Sequence, residues 1–159
     1  AGGLNEAQAS AVAGTAMGVF YALANGLGRI LWGIISDKIG RKLSLILMCL
    51  LQGTIMILFY WMGSVTALFY LGATLIGFNF GGNFALFPTV TSDLFGNANV
   101  GRNYGWVFTA YGVGGIIGPI MAAAIRDAGQ AWVAAFVIAG VACYVAAVLG
   151  YLLKPVQAK

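Results

Sequence analysis

Few side chains in this sequence can do chemistry. It has no histidine and two cysteines, Cys49 and Cys143, both inside apolar runs. That composition leaves no zinc framework and no disulfide scaffold, and it removes the commonest general base. Arg29 is the only charge between Ala7 and Ser36. It precedes Asp37 by eight residues, roughly 12 Å along a helix at about 1.5 Å per residue. An arginine keeps its charge in any protein setting, and its planar fork matches a carboxylate. Asn25, one helical turn earlier, shares its face and orients the guanidinium.

Amides and aromatics follow the same spacing logic. In Asn79-Phe80-Gly81-Gly82-Asn83-Phe84, the two phenylalanines fall on one helical face and the two asparagines on another. Phe108 and Tyr111 share a face further on. Each aromatic taken alone reads equally well as packing or lipid-facing. An amide in hydrocarbon needs a hydrogen-bonding partner.

Gly33-Ile34-Ile35-Ser36-Asp37-Lys38-Ile39-Gly40-Arg41-Lys42 has the ordered form G-x3-D-x2-G-R-K. Gly33 allows a neighbouring helix to approach, and Gly40 permits a tight turn at positive φ. Asp37 suits the positive N-terminal end of a nearby helix, here around Arg102 to Tyr104. Arg41 offers a fork of donors, and Asp93 is expected within salt-bridge distance of it. Gly112, Gly114, Gly115, Gly118 and Pro119 form a second run of small residues, suited to close approach of another helix.

The elements that must position these residues cross a membrane. The chain is 61 % hydrophobic and 8 % charged. A soluble domain is roughly 25 % charged, so a soluble fold, a disordered chain and a nucleic-acid binder are excluded. The net charge of +4 rests on eight Lys and Arg, too few for a phosphate-binding stripe. No charge occurs from Leu43 to Ser92. As a helix that run is roughly 75 Å long and needs two crossings of a core about 30 Å thick. The turn falls at Met62-Gly63-Ser64, beside the interfacial Tyr60 and Trp61. Five spans result, at about 9–36, 43–61, 66–92, 104–125 and 131–153. β-Barrel strands alternate polar and apolar over about ten residues and do not fit. The chain is therefore expected to be an all-α membrane protein of five transmembrane helices, one unit over residues 1–159.

Lys38, Arg41, Lys42, Arg102, Lys154 and Lys159 collect on one side, and Arg126 alone on the other. The first side is expected to be cytoplasmic, with the N-terminal loop outside the cell (inner) membrane and the C-terminal tail inside. The start, Ala1 to Glu6, lacks a basic leader and reads as an extramembrane loop of something longer. With Asp37 at the cytoplasmic edge, Arg29 falls near mid-membrane. Placing it there costs at least about 2.5–3.5 kcal/mol, so it must face the bundle interior. A carboxylate, an anion or water is its partner, unless it snorkels or pairs structurally. No acid lies in the middle of any span, which favours an anionic substrate.

Gly33 to Lys42 resembles the signature loop of the major facilitator superfamily, which follows the second helix of each six-helix half. Gly114-Gly115-Ile116-Ile117-Gly118-Pro119 is similar to the G-x3-G-P element of the fifth helix in a half. Asn83-Phe84-Ala85-Leu86-Phe87-Pro88 through Asp93-Leu94-Phe95-Gly96 resembles the tenth helix of the oxalate/formate antiporter family. Val100-Gly101-Arg102-Asn103-Tyr104-Gly105 and Phe108-Thr109-Ala110-Tyr111-Gly112 resemble the following loop and eleventh helix. The resemblance implies a partial C-terminal half, helices eight to twelve, lacking its first helix and the N-terminal half. It implies that Arg29 binds substrate and that Phe80, Phe84, Phe108 and Tyr111 line the cavity, with Asn25, Asn79 and Asn83 contributing. It also implies that Gly33, Asp37, Gly40, Arg41 and Asp93 form a conformational latch. Relatives carrying a dicarboxylate place a lysine where this chain has Tyr111. One fixed cation suits a monocarboxylate, or a dicarboxylate held partly by hydrogen bonds.

The expected function is secondary transport of a small organic anion by alternating access, through exchange or coupling to the substrate's own proton. Its partners are the carboxylate, the rest of the carrier and the bilayer, with no cofactor, metal or nucleic acid. An intramembrane enzyme lacks the necessary residues: no histidine, no paired acids, no cysteine–base pair. A channel subunit or helical scaffold is the other reading, and it leaves Arg29 without a role.

Overall fold

The computed structural model describes residues 3–129 and 131–153. Lys154 and Lys159, which entered the orientation expectation, lie outside the described residues, as do Ala1, Gly2 and Gln130. Five helices follow one another: α1 (Glu6–Ile39), α2 (Arg41–Met62), α3 (Thr66–Phe95), α4 (Val100–Asp127) and α5 (Val133–Leu152). Within α1, Ala16–Tyr21 winds as a π-helix. No strand occurs among the described residues.

The first four helices run further than the expected apolar spans, whereas α5 stops short of 131–153 at both ends, and a polar cap fixes the start of α1. Asn5 Oδ1 accepts from Gln8 N at 2.8 Å, and Gln8 Oε1 accepts from Asn5 N at 3.1 Å. This reciprocal capping box starts α1 at Glu6. Connections shrink accordingly. The expected basic loop is one residue, Gly40 at φ 89°. The polar stretch expected at Asp93–Asn103 narrows to residues 96–99, opened by Gly96 at φ 75°. L side chains avoid that region, so glycine is what allows each sharp break.

By length and composition, α1, α2, α4 and α5 are apolar enough to cross a membrane, whereas α3 falls short of that measure. Asn79, Asn83 and the glycines dilute its hydropathy. α3 is nevertheless the most enclosed element, burying Gly72, Ala73, Gly77, Asn79, Gly81, Gly82, Leu86 and Thr91. It packs on α1 and α2, while α2 packs on α5. The polar helix is thus covered by its neighbours, and Trp32, Leu45, Met48 and Leu86 form the apolar core beside it. Outward-facing residues such as Leu23, Ile30, Ile116 and Leu149 stay more than half exposed, as an acyl-chain surface requires.

Close approach occurs at glycines other than those expected. A Cβ added at Gly77 would meet the Tyr21 carbonyl oxygen at 2.5 Å. Gly28 abuts the Phe78 backbone and Gly81 the Asn25 backbone. Gly53 of α2 and Gly140 of α5 meet in the same way, each position 2.9 Å from the other's carbonyl oxygen. By contrast, nothing lies within 4 Å of a Cβ placed at Gly33, Gly112, Gly114, Gly115 or Gly118. α4, which also carries Pro119, buries no residue at all. The expected packing of Gly33 and of the Gly114–Gly118–Pro119 run therefore has no counterpart among the described residues, because no described helix covers those faces.

Candidate functional site

The α1–α3 contact sets the position of Arg29. Because Gly81 has no side chain, the backbone of α1 comes so close that a Cβ there would stand 3.1 Å from Arg29 N. From this position Arg29 Nε donates to Asn25 Oδ1 at 3.2 Å. Its guanidinium carbon lies 4.6 Å from the centroid of Phe84, within cation–π range. No carboxylate pairs with Arg29 among the described residues. The Asn25 bond uses Nε alone, and the Nη atoms make no hydrogen bond among the described residues.

Around Phe84 the aromatic positions of α3 and α4 converge. Phe80 and Phe84 meet edge-on at 5.3 Å, and Phe108 and Tyr111 stack at 5.1 Å. Phe84 lies 6.4 Å from Phe108 and 6.2 Å from Tyr111, and Phe80 lies 6.0 Å from Tyr111. A cavity of about 250 Å³ opens among these rings, with Asn83, Phe87, Tyr104, Val107 and Ala110 also in its walls. That is below the ~300–1,000 Å³ of drug-sized pockets, so the space suits a small guest. Positive ring edges and one amide can contact an anion's oxygen atoms while excluding bulkier solutes.

Asn79 is placed differently from the expectation. It does not line this cavity. It is 1 % exposed, and its Oδ1 accepts from Trp32 Nε1 at 3.2 Å. One residue along a helix rotates a side chain by about 100°, which turns Asn79 toward Trp32 while Phe80 faces α4. Tyr21, 5.9 Å from Phe80, and Tyr104, 5.6 Å from Phe108, belong to the same aromatic neighbourhood and were not singled out from sequence. Helical spacing carried both signals, because Tyr104 precedes Phe108 and Tyr21 precedes Asn25 by one turn.

At the Gly40 end, Arg41 gathers the polar groups. Its Nη1 lies 2.5 Å from Asp37 Oδ1 and also donates to Ser36 Oγ. Its Nε lies 3.7 Å from Asp93 Oδ2, so α1, α2 and α3 meet at one guanidinium. Asp37 therefore pairs with Arg41 and not with the start of α4. The single-residue break at Gly40 puts Arg41 four positions from Asp37 and within immediate reach. Lys42 ties in α5, donating to Leu153 O at 2.7 Å with its ammonium 5.3 Å from the Tyr151 ring centroid.

A family model described as Major Facilitator Superfamily matches residues 3–159. The oxalate:formate antiporter of Oxalobacter formigenes is 33 % identical over 134 residues, covering 84 % of this chain and 32 % of that protein. The uncharacterized MFS-type transporter YhjX of Escherichia coli (strain K12) is 36 % identical over 97 residues, 60 % of this chain and 24 % of its own length. Apicoplast pyruvate carrier 2 of Toxoplasma gondii is 37 % identical over 84 residues, 52 % of this chain and 13 % of its own. The chain thus spans a third or less of the length of these curated relatives.

Proposed function

The chain belongs to the major facilitator superfamily, and we propose that it forms helices eight to twelve of a secondary carrier for a small organic anion. It is an integral, multi-pass membrane protein of a transporter family, not an enzyme. The observation that carries the substrate reading is Arg29. A guanidinium in a membrane-spanning helix, with no carboxylate partner among the described residues and seated over a ring that walls an aromatic cavity, is a site for an anion. Two relatives whose names specify oxalate and formate, or pyruvate, support a carboxylate.

In this reading Arg29 takes the carboxylate on its Nη fork, and Asn25 holds the guanidinium in plane. Phe80, Phe84, Phe108, Tyr111 and Asn83 wall the site. Arg41, Asp37 and Asp93, hinged at Gly40, latch the cytoplasmic ends of the first three helices in one state of the carrier. Gly33 and the Gly114–Gly118–Pro119 face await helices of the remainder of the carrier, including the first helix of this half and the N-terminal half. The N-terminal end of the chain faces outside and the C-terminal end the cytoplasm of the cell (inner) membrane. Transport proceeds by alternating access, with binding at the interface between halves. No acid lies at mid-depth in these spans, which favours exchange of anions or coupling through the substrate's own proton. One fixed cation beside Tyr111 favours a monocarboxylate over oxalate.

The full-length carrier in proteoliposomes tests this. Radiolabelled formate, propionate or oxalate is offered against the unlabelled anion inside. Saturable counterflow of a monocarboxylate is the expected outcome. Uptake no faster than in protein-free vesicles, for every carboxylate tried, would overturn the reading.

A further inference from the structure

A second cavity, of about 280 Å³, lies between α2, α3 and α5. Cys49 and Cys143 both line it, each half-buried and neither in a disulfide. The register of α2 against α5 sets the two thiols opposite each other. Lys42, at the start of α2, reaches Leu153 O at the end of α5, so the helices run antiparallel. Their backbones meet at Gly53 and Gly140, where each added Cβ would stand 2.9 Å from the other's carbonyl oxygen. Cys49 precedes Gly53 by four residues, and Cys143 follows Gly140 by three. In an antiparallel pair those steps go the same way, about 6 Å and about 4.5 Å along the axes, and both keep to the facing side of the helix. A charge on Cys143 is close enough to act on Cys49. Beyond the glycine contact the seam opens into the cavity, with one thiol on each bank.

We propose that Cys49 and Cys143 form a two-thiol clamp for a soft divalent metal ion of the mercury(II) type, bound across the α2–α5 seam. Thiolate ligands select soft ions, and the rest of the lining narrows the class. It includes no charged side chain among the described residues. Met48 also lines the cavity, but its sulfur is turned against Gly82. A zinc site needs four ligands, and no cluster of three or more His, Cys, Asp or Glu placed to hold a metal occurs among the described residues. Two-coordinate binding is what two thiols supply. Two metal–sulfur bonds of ~2.3 Å in line span about 4.6 Å, against ~2.05 Å for a disulfide, which suits thiols with a cavity between them. Each thiol releases its proton as the metal–sulfur bond forms. A divalent ion between two thiolates is then neutral. Copper(I) or silver(I) in the same clamp would leave a net negative charge in an uncharged space.

Mercury(II) binding to the purified full-length carrier, in competition with excess 2-mercaptoethanol, tests this. The unaltered carrier should hold one more mercury per chain than the variant carrying both Cys49→Ala and Cys143→Ala. Either substitution alone should weaken that binding by roughly 10²–10⁴-fold, because the second thiol acts intramolecularly. Methylmercury needs a single thiol, so each single variant should still take it on the remaining cysteine, which shows the cavity intact. A single variant that keeps the extra mercury at the parent's affinity overturns the clamp, and so does an unaltered carrier that holds no more than the double variant. A second measurement needs no variant. Mercury(II) should protect Cys49 and Cys143 together from alkylation by N-ethylmaleimide in the unaltered carrier, read peptide by peptide in a mass spectrometer. Protection of one cysteine without the other would equally defeat the proposal.

Discussion

Gly77→Ala probes the contact that brings Arg29 to the aromatic cavity. The added Cβ meets the Tyr21 carbonyl oxygen at 2.5 Å, with the Tyr21 Cα at 2.9 Å. Ordinary contact begins at 3.4 Å, so α1 and α3 must part by about 0.9 Å, and the obstacle is backbone that no rotamer change relieves. Overpacking of this kind costs about 1–3 kcal/mol. Lifting α1 by that amount moves the Arg29 guanidinium from 4.6 Å toward about 5.5 Å from the Phe84 ring, still inside the ~6 Å limit for attraction. The expected result is a clear loss of thermal stability with a modest loss of anion affinity. Thermal melting of the detergent-purified carrier reads the first and ligand binding the second. Gly26→Ala, also in α1 but with open space around it, serves as the control and stays within about 0.5 kcal/mol of the parent or gains from helix propensity. A Gly77→Ala carrier as stable as the Gly26→Ala carrier would refute the close α1–α3 approach.

Asp93→Asn removes the exposed Arg41–Asp93 pair at 3.7 Å. Such pairs contribute about 0–1 kcal/mol, so alkylation of a cysteine introduced into the aromatic cavity, by a reagent added on the Gly40 side, should rise by up to roughly fivefold with little change in stability. Gly118→Leu leaves this chain's own packing intact, because the position is open. It should slow transport by obstructing approach of the rest of the carrier, with anion affinity retained, as counterflow and equilibrium binding measured together will report. Tyr111→Lys adds a second cation beside Phe80 and Phe84, which lie 6.0 and 6.2 Å from the present ring, and should shift preference toward dianions in a competition assay with oxalate and formate.

The five helices were legible in the sequence because charge is so expensive in hydrocarbon that twelve charged residues punctuate the whole chain. Gly40 was legible because a break between two helices needs a residue free to take positive φ, and Gly-Arg-Lys beside Asp37 marks where. The aromatic cavity followed from one-turn spacing within α3 and within α4, since each pair needs only a single helix to define it. Contacts that depend on how two helices register against each other did not follow. Gly77 and Gly81 form a small-x3-small pair, yet so do Gly114 and Gly118, and among the described residues only the first pair finds a neighbour. Local sequence states that a helix can be approached and not which helix does so. Asn79 had the same ambiguity. Its need for a partner was evident, but Trp32 lies 47 residues away and is identified only by the α1–α3 register.

Arg29 holds the centre of the account. On the proposed reading its fork supplies two charge-assisted hydrogen bonds to a carboxylate, so truncation should cost about 2–5 kcal/mol, roughly 30- to 4,000-fold in affinity. Lysine keeps the charge but gives up the fork and the planar contacts to Asn25 and Phe84, so Arg29→Lys should fall between the parent and Arg29→Gln. The direct measurement is equilibrium binding of a labelled monocarboxylate to the purified full-length carrier bearing each substitution. Loss of binding in Arg29→Gln, with the protein still inserted and folded, is the predicted result. Unchanged affinity in Arg29→Gln would contradict the account and leave Arg29 as a structural charge.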